Sequence, residues 1–401
     1  MKKNSILTPL AILSISLLLT SATAINGALP QMRQSLGMTT TQGELVATVP
    51  ALAVVLFVVL SSFIAQKIGV KKTIQLGLIL VGIGGAAPLV LTNYPIILVS
   101  RFLLGAGFGL FNSLAVSVIN LLYREVPNKR ATLLGYRGAA ENIGSAAMTL
   151  LAGALLAFGW KFSFGVYLLA FPILVLFTIA VPEIQATQEE SNDQSSDTRA
   201  YVRPQVYLLA IFASFLVMTF MAIGVRFPAM VVTMRGADYN ASNFLAVMPI
   251  IGIATGAAFG HVNRLLGRKC LYLGLALLAL ATLLIGRSEN NFNLLLVGYF
   301  ISGIPGSLIF PFIYNSLNNY ASASKMNFAT SVILIGCNLG NFIAPFGLSL
   351  LQTLGGSDSL FVPFQLLFAI IAIMLAAIVV NQTNFFRKKA LKTTQTSSTN
   401  N

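Results

Sequence analysis

Charge is what this 401-residue sequence has least of: Asp, Glu, Lys and Arg together make up 9% of it, against roughly a quarter in soluble domains. Too few ionisable groups are present to cover a water-facing surface, which excludes a soluble globular protein. Cysteine is scarce too. Cys270 follows a basic turn and Cys337 lies within an apolar run, so neither a disulfide framework nor a thiolate metal site is available, and both are expected to serve packing. A single histidine, His261, and scattered carboxylates supply no nucleophile–base set or metal cluster, which argues against a membrane-embedded enzyme. No Walker A sequence occurs, so an ion gradient is expected to drive any transport, rather than ATP hydrolysis. No cofactor is expected, and the polar segments are too short to hold a signalling domain.

What the sequence does have is long apolar runs. Hydrophobic residues form 56% of it, and the mean hydropathy is +0.83. A bilayer core of about 30 Å needs about 20 apolar residues in helix. Runs of that length predict spans at 6–27, 44–65, 73–92, 95–119, 131–157 and 162–181, then 205–232, 242–263, 270–288, 292–317, 325–352 and 361–383. The fold class is therefore an all-α membrane protein of twelve transmembrane helices. Residues 1–182 and 205–386 are expected to form two six-helix bundles, with 183–204 a solvated linker and 387–401 a polar tail. Lys2-Lys3, the first apolar run and Ala22-Thr23-Ala24 imitate a cleavable secretory leader. We keep the run as a span, because its removal would leave eleven and unbalance the repeat described below.

The net charge of +14 is explained by where the basic residues fall. With an even number of spans and both termini in the cytoplasm, eighteen of the 25 Lys and Arg lie inside. Only Arg33, Lys161, Arg235 and Arg287 lie outside, and Arg101, Arg137 and Arg226 lie within spans. This asymmetry follows the positive-inside rule. The charge is topological, so nucleic acid drops out as a partner; the expected partners are the lipid bilayer, a small-molecule substrate and protons, for a monomer in the cytoplasmic membrane.

A shift of 198 residues brings the two halves into register. Leu29-Pro30-Gln31-Met32 falls on Phe227-Pro228-Ala229-Met230, Gly69-Val70-Lys71 on Gly267-Arg268-Lys269, and Phe102 and Gly105 on Phe300 and Gly303. With two residues of slippage, Asn142-Ile143-Gly144 meets Asn338-Leu339-Gly340. A duplicated six-helix unit is the architecture that permits alternating access around a site near the bilayer midplane.

These residues together resemble the major facilitator superfamily, over nearly the whole chain. The family signature of the turn between spans 2 and 3, Gly-x-x-x-Asp-Arg-x-Gly-Arg-Lys, is matched by Gln66, Lys67, Gly69, Lys71 and Lys72, with Gln66 where the family has its acid. The second-half copy carries Arg264, Gly267, Arg268 and Lys269. The resemblance implies that these turns form a cytoplasmic gate. Arg101-Phe-Leu-Leu-Gly105-Ala-Gly107 in span 4 is similar to a pattern of the drug:proton antiporter branch, which implies proton coupling and efflux of a small organic or drug-like compound. The Gly-Pro element of that branch is missing from span 5. The alternative is uptake or exchange of a small organic anion, motivated by three intramembrane arginines over one glutamate.

Ionisable groups within spans cost roughly 2.5–3.5 kcal/mol each on insertion scales and need a reason. Arg101 reads as a proton-coupling or substrate-contacting cation, or else as a snorkelling or helix-bridging one. Glu141 near the midplane reads as a proton carrier, or as the one-turn partner of Arg137. Arg226 either closes the outer vestibule, attracts an anion, or snorkels. Glu44 is expected to favour a helix N-terminus, and His261 to be a gate or surface residue. Asn26, Asn112, Asn142, Tyr299, Tyr314 and Asn338, with Asn315, are expected to line a wet cavity or to bond neighbouring helices.

Overall fold

A computed structural model describes residues 7–183, 201–236, 239–267, 269–322 and 325–398, with side chains as far as residue 380. Among the described residues, eleven helices are long and apolar enough to cross a membrane, and one bent pair adds a twelfth. In chain order the first bundle comprises α1 (Leu7–Leu18 with Ser21–Leu36), α2 (Thr40–Ile68), α3 (Val70–Leu89), α4 (Tyr94–Leu122), α5 (Pro127–Leu156) and α6 (Trp160–Ala180). The second comprises α7 (Gln205–Arg235), α8 (Ser242–Leu266), α9 (Lys269–Gly286), α10 (Phe292–Asn319), α11 (Met326–Leu354) and α12 (Val362–Val380). No strand occurs among the described residues. The helix containing α12 runs on to Ser398, into the stretch expected to be a separate polar tail.

Two spans are broken where continuous helices were expected. Around Leu17–Leu19 the backbone of α1 switches to i−3 hydrogen bonds, and the two parts meet at 43°. Hydroxyls flank the switch: Ser14 Oγ donates to Ala11 O and Ser21 Oγ to Leu18 O. In α10 the break falls between Phe292–Ile301 and Pro305–Ser316, because Pro305 has no N–H to continue the ladder.

Turns follow the sequence closely. Gly37, Gly69 and Gly267 take φ of 63°, 90° and 50°, the left-handed region that ends a helix without a Cβ clash. Thr39 caps α2 through a reciprocal box with Gln42. Most of the expected linker, along with Arg268, lies outside the described residues. Its last residues are not simply solvated: Val202 bridges antiparallel to Ala321, and Arg203 N–H donates to Tyr320 O at 2.8 Å.

The repeat is visible in the packing. A Cβ on Gly144 of α5 would collide with the backbone of Leu17 in α1, and one on Gly340 of α11 would collide with the backbone of Ser214 in α7. These are the same helix–helix contact in each bundle. Gly105 of α4 lies against the Pro50 backbone of α2, and its counterpart Gly303 lies against Ile251 of α8. Without a hydrophobic drive between helices in lipid, such close backbone approach is what holds a bundle together. The axis relating the bundles passes between Asn26 and Gly224, 198 residues apart, where Asn26 Nδ2 donates to Gly224 O at 3.4 Å.

The bundles meet at one end and part at the other. At the sealed end Ser242, at the start of α8, sits between Gly27 of α1 and Gly153 of α5, and Asn240 Nδ2 donates to Gly153 O at 2.7 Å. Deeper, Asn142 Oδ1 stands across from Gly252. Beyond that level Gly135 and Gly138 of α5, and Gly256 and Gly260 of α8, have nothing near the place of a side chain. Gly105→Ile is expected to lower the apparent Tm in detergent, since overpacking against the Pro50 backbone costs about 1–3 kcal/mol. An unchanged melting profile would show that α2 and α4 are free to move apart there.

Candidate functional site

Three clusters account for the charged groups within the spans. The first lies at the sealed end. Arg226 of α7 and Glu44 of α2 are 1% and 3% exposed. Arg226 Nε donates to Glu44 Oε1 at 2.5 Å and Nη2 to Oε2 at 3.4 Å, while Nη1 donates to Gln352 Oε1 of α11 at 3.2 Å. This fork-on-carboxylate arrangement is the strong form of a charge-assisted pair. It joins the two bundles, and a third helix completes it. Arg226 therefore does not snorkel. Glu44 is not a capping residue either: Thr39 and Gln42 cap α2, and the carboxylate turns inward to the arginine. Gln352 carried no signal in the sequence. Glu44 carried one, an acid within an apolar run, that its closeness to the helix start obscured.

Seal contacts obey the repeat. Glu44 and Ser242 are equivalent at the 198-residue shift, and so are Ala28 and Arg226. The start of the second span of each bundle thus rests on the first span of the other, as an ion pair on one side and as a serine on Gly27 on the other.

Arg101 is fully buried in α4. Its Nε donates to Val46 O of α2 at 2.9 Å, and its Nη2 to Ala22 O of α1 at 2.6 Å. Tyr167 of α6 has its ring 5.3 Å from the guanidinium carbon and donates from its hydroxyl to Ser21 O at 2.8 Å. The acceptors are Ser21 O and Ala22 O, just past the break in α1, and Val46 O of α2, four residues before Pro50, which has no N–H to bond it. Arg101 Nη1 has no partner and the residue makes no ion pair among the described residues. In this conformation the geometry is the helix-bridging reading of Arg101; it contacts no open cavity.

The third cluster stands where the bundles part. Arg137 Nη2 donates to Asn112 Oδ1 of α4 at 2.8 Å and lies 3.0 Å from Glu141 Oε1, one turn along α5. The two side chains are 18% and 24% exposed, so water reaches both. Thr20, exposed at the break in α1, donates to Glu141 O at 2.7 Å. Asn142 Nδ2 donates to Gly138 O on its own helix. Cation, carboxylate and amide are thus gathered on one wall of the gap, within one bundle.

Other expected residues are distributed differently. Tyr299 is 2% exposed and stacks on Phe227 with centroids 3.8 Å apart, so it packs α10 on α7 and lines no wet cavity. Tyr314 is exposed, and Asn338 Nδ2 donates within its own helix to Leu334 O. Asn26 is buried on the axis with its Oδ1 unpartnered. In the turn motifs, Gln66, Lys67, His261 and Arg264 stand exposed, and Lys71 Nζ donates to Thr178 O of α6 at 2.9 Å. That last bond ties the first bundle to itself rather than to the second.

The sequence matches the family profile of the Major Facilitator Superfamily over residues 11–285 and 262–400. A 2-nitroimidazole transporter of Escherichia coli (strain K12) is 27% identical over 264 residues, 63% of this chain and 65% of that protein. The multidrug efflux pump SdrM of Staphylococcus aureus (strain N315) is 24% identical over 280 residues, 68% of this chain and 61% of that protein. The chain therefore spans less than two thirds of the length of either relative. In fold it is similar to the nucleoside transporter NupG (D323A mutant), with a TM-score of 0.75 at 14% identity, covering 94% of this chain and 99% of the other. All three are transporters by name, and none is an enzyme.

Removing one partner of a buried ion pair costs about 3–5 kcal/mol, because the other charge is stranded. Glu44→Gln is accordingly expected to unseal the end where α2 meets α7. Val225, 3% exposed and lining the same small cavity as Glu44, is the reporter. In a Val225→Cys background, labelling by a membrane-impermeant maleimide from that side should rise by about two orders of magnitude when Glu44 is replaced. Equal labelling rates would show that the pair does not hold the seal.

Proposed function

The chain belongs to the Major Facilitator Superfamily, a family of membrane transporters that carry small molecules across a lipid bilayer. From that membership we propose that it performs proton-coupled efflux of a small organic compound by alternating access, as a monomer in the cytoplasmic membrane. The open end is the cytoplasmic one, on the charge asymmetry of the loops. The observation that carries this reading is the placement of Asn112, Arg137 and Glu141 at the head of the gap, just below the level at which the bundles join.

Glu141 is the group at which proton and substrate compete. A carboxylate that accepts a hydrogen bond from the substrate becomes a weaker acceptor and gains an O–H donor once protonated, so the proton lowers the site's hold on the substrate and exchange follows. The names of the relatives, an efflux pump and a 2-nitroimidazole transporter, support export of a compact organic molecule. Uptake or exchange of an organic anion is the second reading, and the arginines that motivated it are otherwise engaged. Arg226 is bound to Glu44, Arg137 to Glu141, and Arg101 to backbone carbonyls. None offers an anion a free guanidinium at the gap.

Proteoliposomes test the reading directly. Vesicles with the basic end outward and an acidic lumen are expected to accumulate 2-nitroimidazole. With Glu141→Gln, accumulation should fall to the level of protein-free vesicles. Uptake of an organic anion that is indifferent to this substitution would defeat proton antiport.

A further inference from the structure

The repeat that builds the two bundles is broken at the residues that flank the gap. At the 198-residue shift Asn112 corresponds to Phe310 and Thr20 to Met218. With the slippage that aligns α5 with α11, Arg137 corresponds to Ile333 and Glu141 to Cys337. The axis through Asn26 and Gly224 and the matched contacts of Gly144 and Gly340 place these positions equivalently in the two bundles. One wall therefore carries a cation, a carboxylate, an amide and a hydroxyl, and the other an aromatic ring, a methionine and a thiol, with Ile333 sealed in the core behind them.

The apolar wall is itself organised. Phe310 and Phe220 lie with centroids 6.5 Å apart, and both rings approach the place of a Cβ on Gly306 to 4.0 Å. A larger residue there would crowd them. Phe310, Phe220, Met218 and Cys337 are all partly buried rather than sealed in the core, so each keeps surface to give to a ligand. A flat ring against aromatic and sulfur groups is a favourable contact.

Polar-wall chemistry narrows the other end of the ligand. Arg137 and Glu141 compensate each other at 3.0 Å. A cationic head is attracted by the carboxylate and repelled by the guanidinium, and an anionic head meets the reverse. An uncharged group that both donates and accepts, such as an amide or an azole edge, satisfies both. Arg137 Nε is buried without a hydrogen-bond partner, and Glu141 Oε1 has only its ion pair with Arg137 Nη2, so a rotation of the pair would turn a donor and an acceptor towards such an edge.

We propose that the central site has a polar pole on the first bundle and an apolar pole on the second, and takes small, net-neutral, planar aromatic compounds bearing a donor–acceptor edge. This rests on the transport reading above and names its substrate class. The polar edge lies on Asn112, Arg137 and Glu141, and the ring lies on Phe310 and Cys337.

Equilibrium binding of four probes to the full chain in nanodiscs tests the proposal, with empty discs as the baseline. The probes are 2-naphthamide, its cationic and anionic counterparts 2-naphthylmethylamine and 2-naphthoate, and acetamide, which has the edge without the ring. 2-Naphthamide is expected to bind saturably and more tightly than the other three. Phe310→Ala should weaken it by about tenfold. Phe310→Leu, which keeps apolar volume, should give an intermediate affinity at unchanged Tm and so separates a lost ring from a lost fold. Cys337→Asp adds a carboxylate to the apolar pole and should shift preference towards 2-naphthylmethylamine. Tighter wild-type binding of the amine or the carboxylate overturns the proposal. So does wild-type affinity for 2-naphthamide in both Phe310→Ala and Cys337→Asp, or the absence of saturable binding by any probe. Binding is measured without a gradient, so saturable binding in a protein that shows no pH-driven flux would overturn antiport and leave the two poles standing.

Discussion

A guanidinium held inside a bilayer needs a counter-charge, and Arg226 finds its carboxylate by reaching from one bundle to the other. That requirement organises the sealed end. Glu44 is 182 residues away in sequence, so the pair exists only while the bundles are rocked together on that side. Opening must hydrate both groups or strand them, which makes the pair a discrete latch rather than one contact among many. Its position on the pseudo-two-fold relation matters as well. The equivalent contact on the other side of the axis is uncharged, a serine against Gly27 and Gly153, so most of the electrostatic hold on the closed side comes from one of two equivalent places.

The second intramembrane pair behaves differently for a geometric reason. Arg137 and Glu141 lie one turn apart on one helix, and Asn112, which accepts from Arg137, lies in the same bundle. Rocking does not separate them. A group whose partners are the same in both conformations cannot by itself bias the equilibrium between them, since only differential interaction shifts populations. The pair can nevertheless serve as a constant recognition surface that is offered to one side and then to the other. The two pairs are thus distinguished by which bundle supplies the partner.

Much of this was legible in the sequence, and the parts that were not share a cause. Apolar run length located ten of the twelve spans to within about four residues, while α1 runs to Leu36 and the helix of α12 to Ser398, both past their expected ends; the repeat was visible as a near-constant offset. Arg137 and Glu141 could be paired because their i,i+4 spacing brings them together on any helix. Glu44 and Arg226 could not, because nothing local connects them; a carboxylate five residues after Thr39 looks like part of a helix start until the facing bundle is seen. Tyr299 was read as a polar group for a cavity, yet its ring stacks on Phe227 and its burial is complete enough to remove it from any aqueous surface. Amphipathic side chains are ambiguous from sequence in this way, because the ring and the hydroxyl argue for opposite environments.

Arg101 shows how the broken first span and the site depend on each other. Past the break of α1 around Leu17–Leu19, the carbonyls of Ser21 and Ala22 take donors from other helices inside the bilayer. Arg101 and Tyr167, from α4 and α6, supply them, and the same guanidinium reaches α2 through Val46 O. Four helices are thereby fixed around one bend. That bend exposes Thr20 where it reaches Glu141 on α5, and it carries Asn26 and Gly27 to the axis, where they meet Gly224 and Ser242. The polar cluster proposed for recognition and the seal are therefore positioned by the same irregularity in one helix. An arginine that touches neither a substrate nor a proton in this conformation can still determine where both would bind.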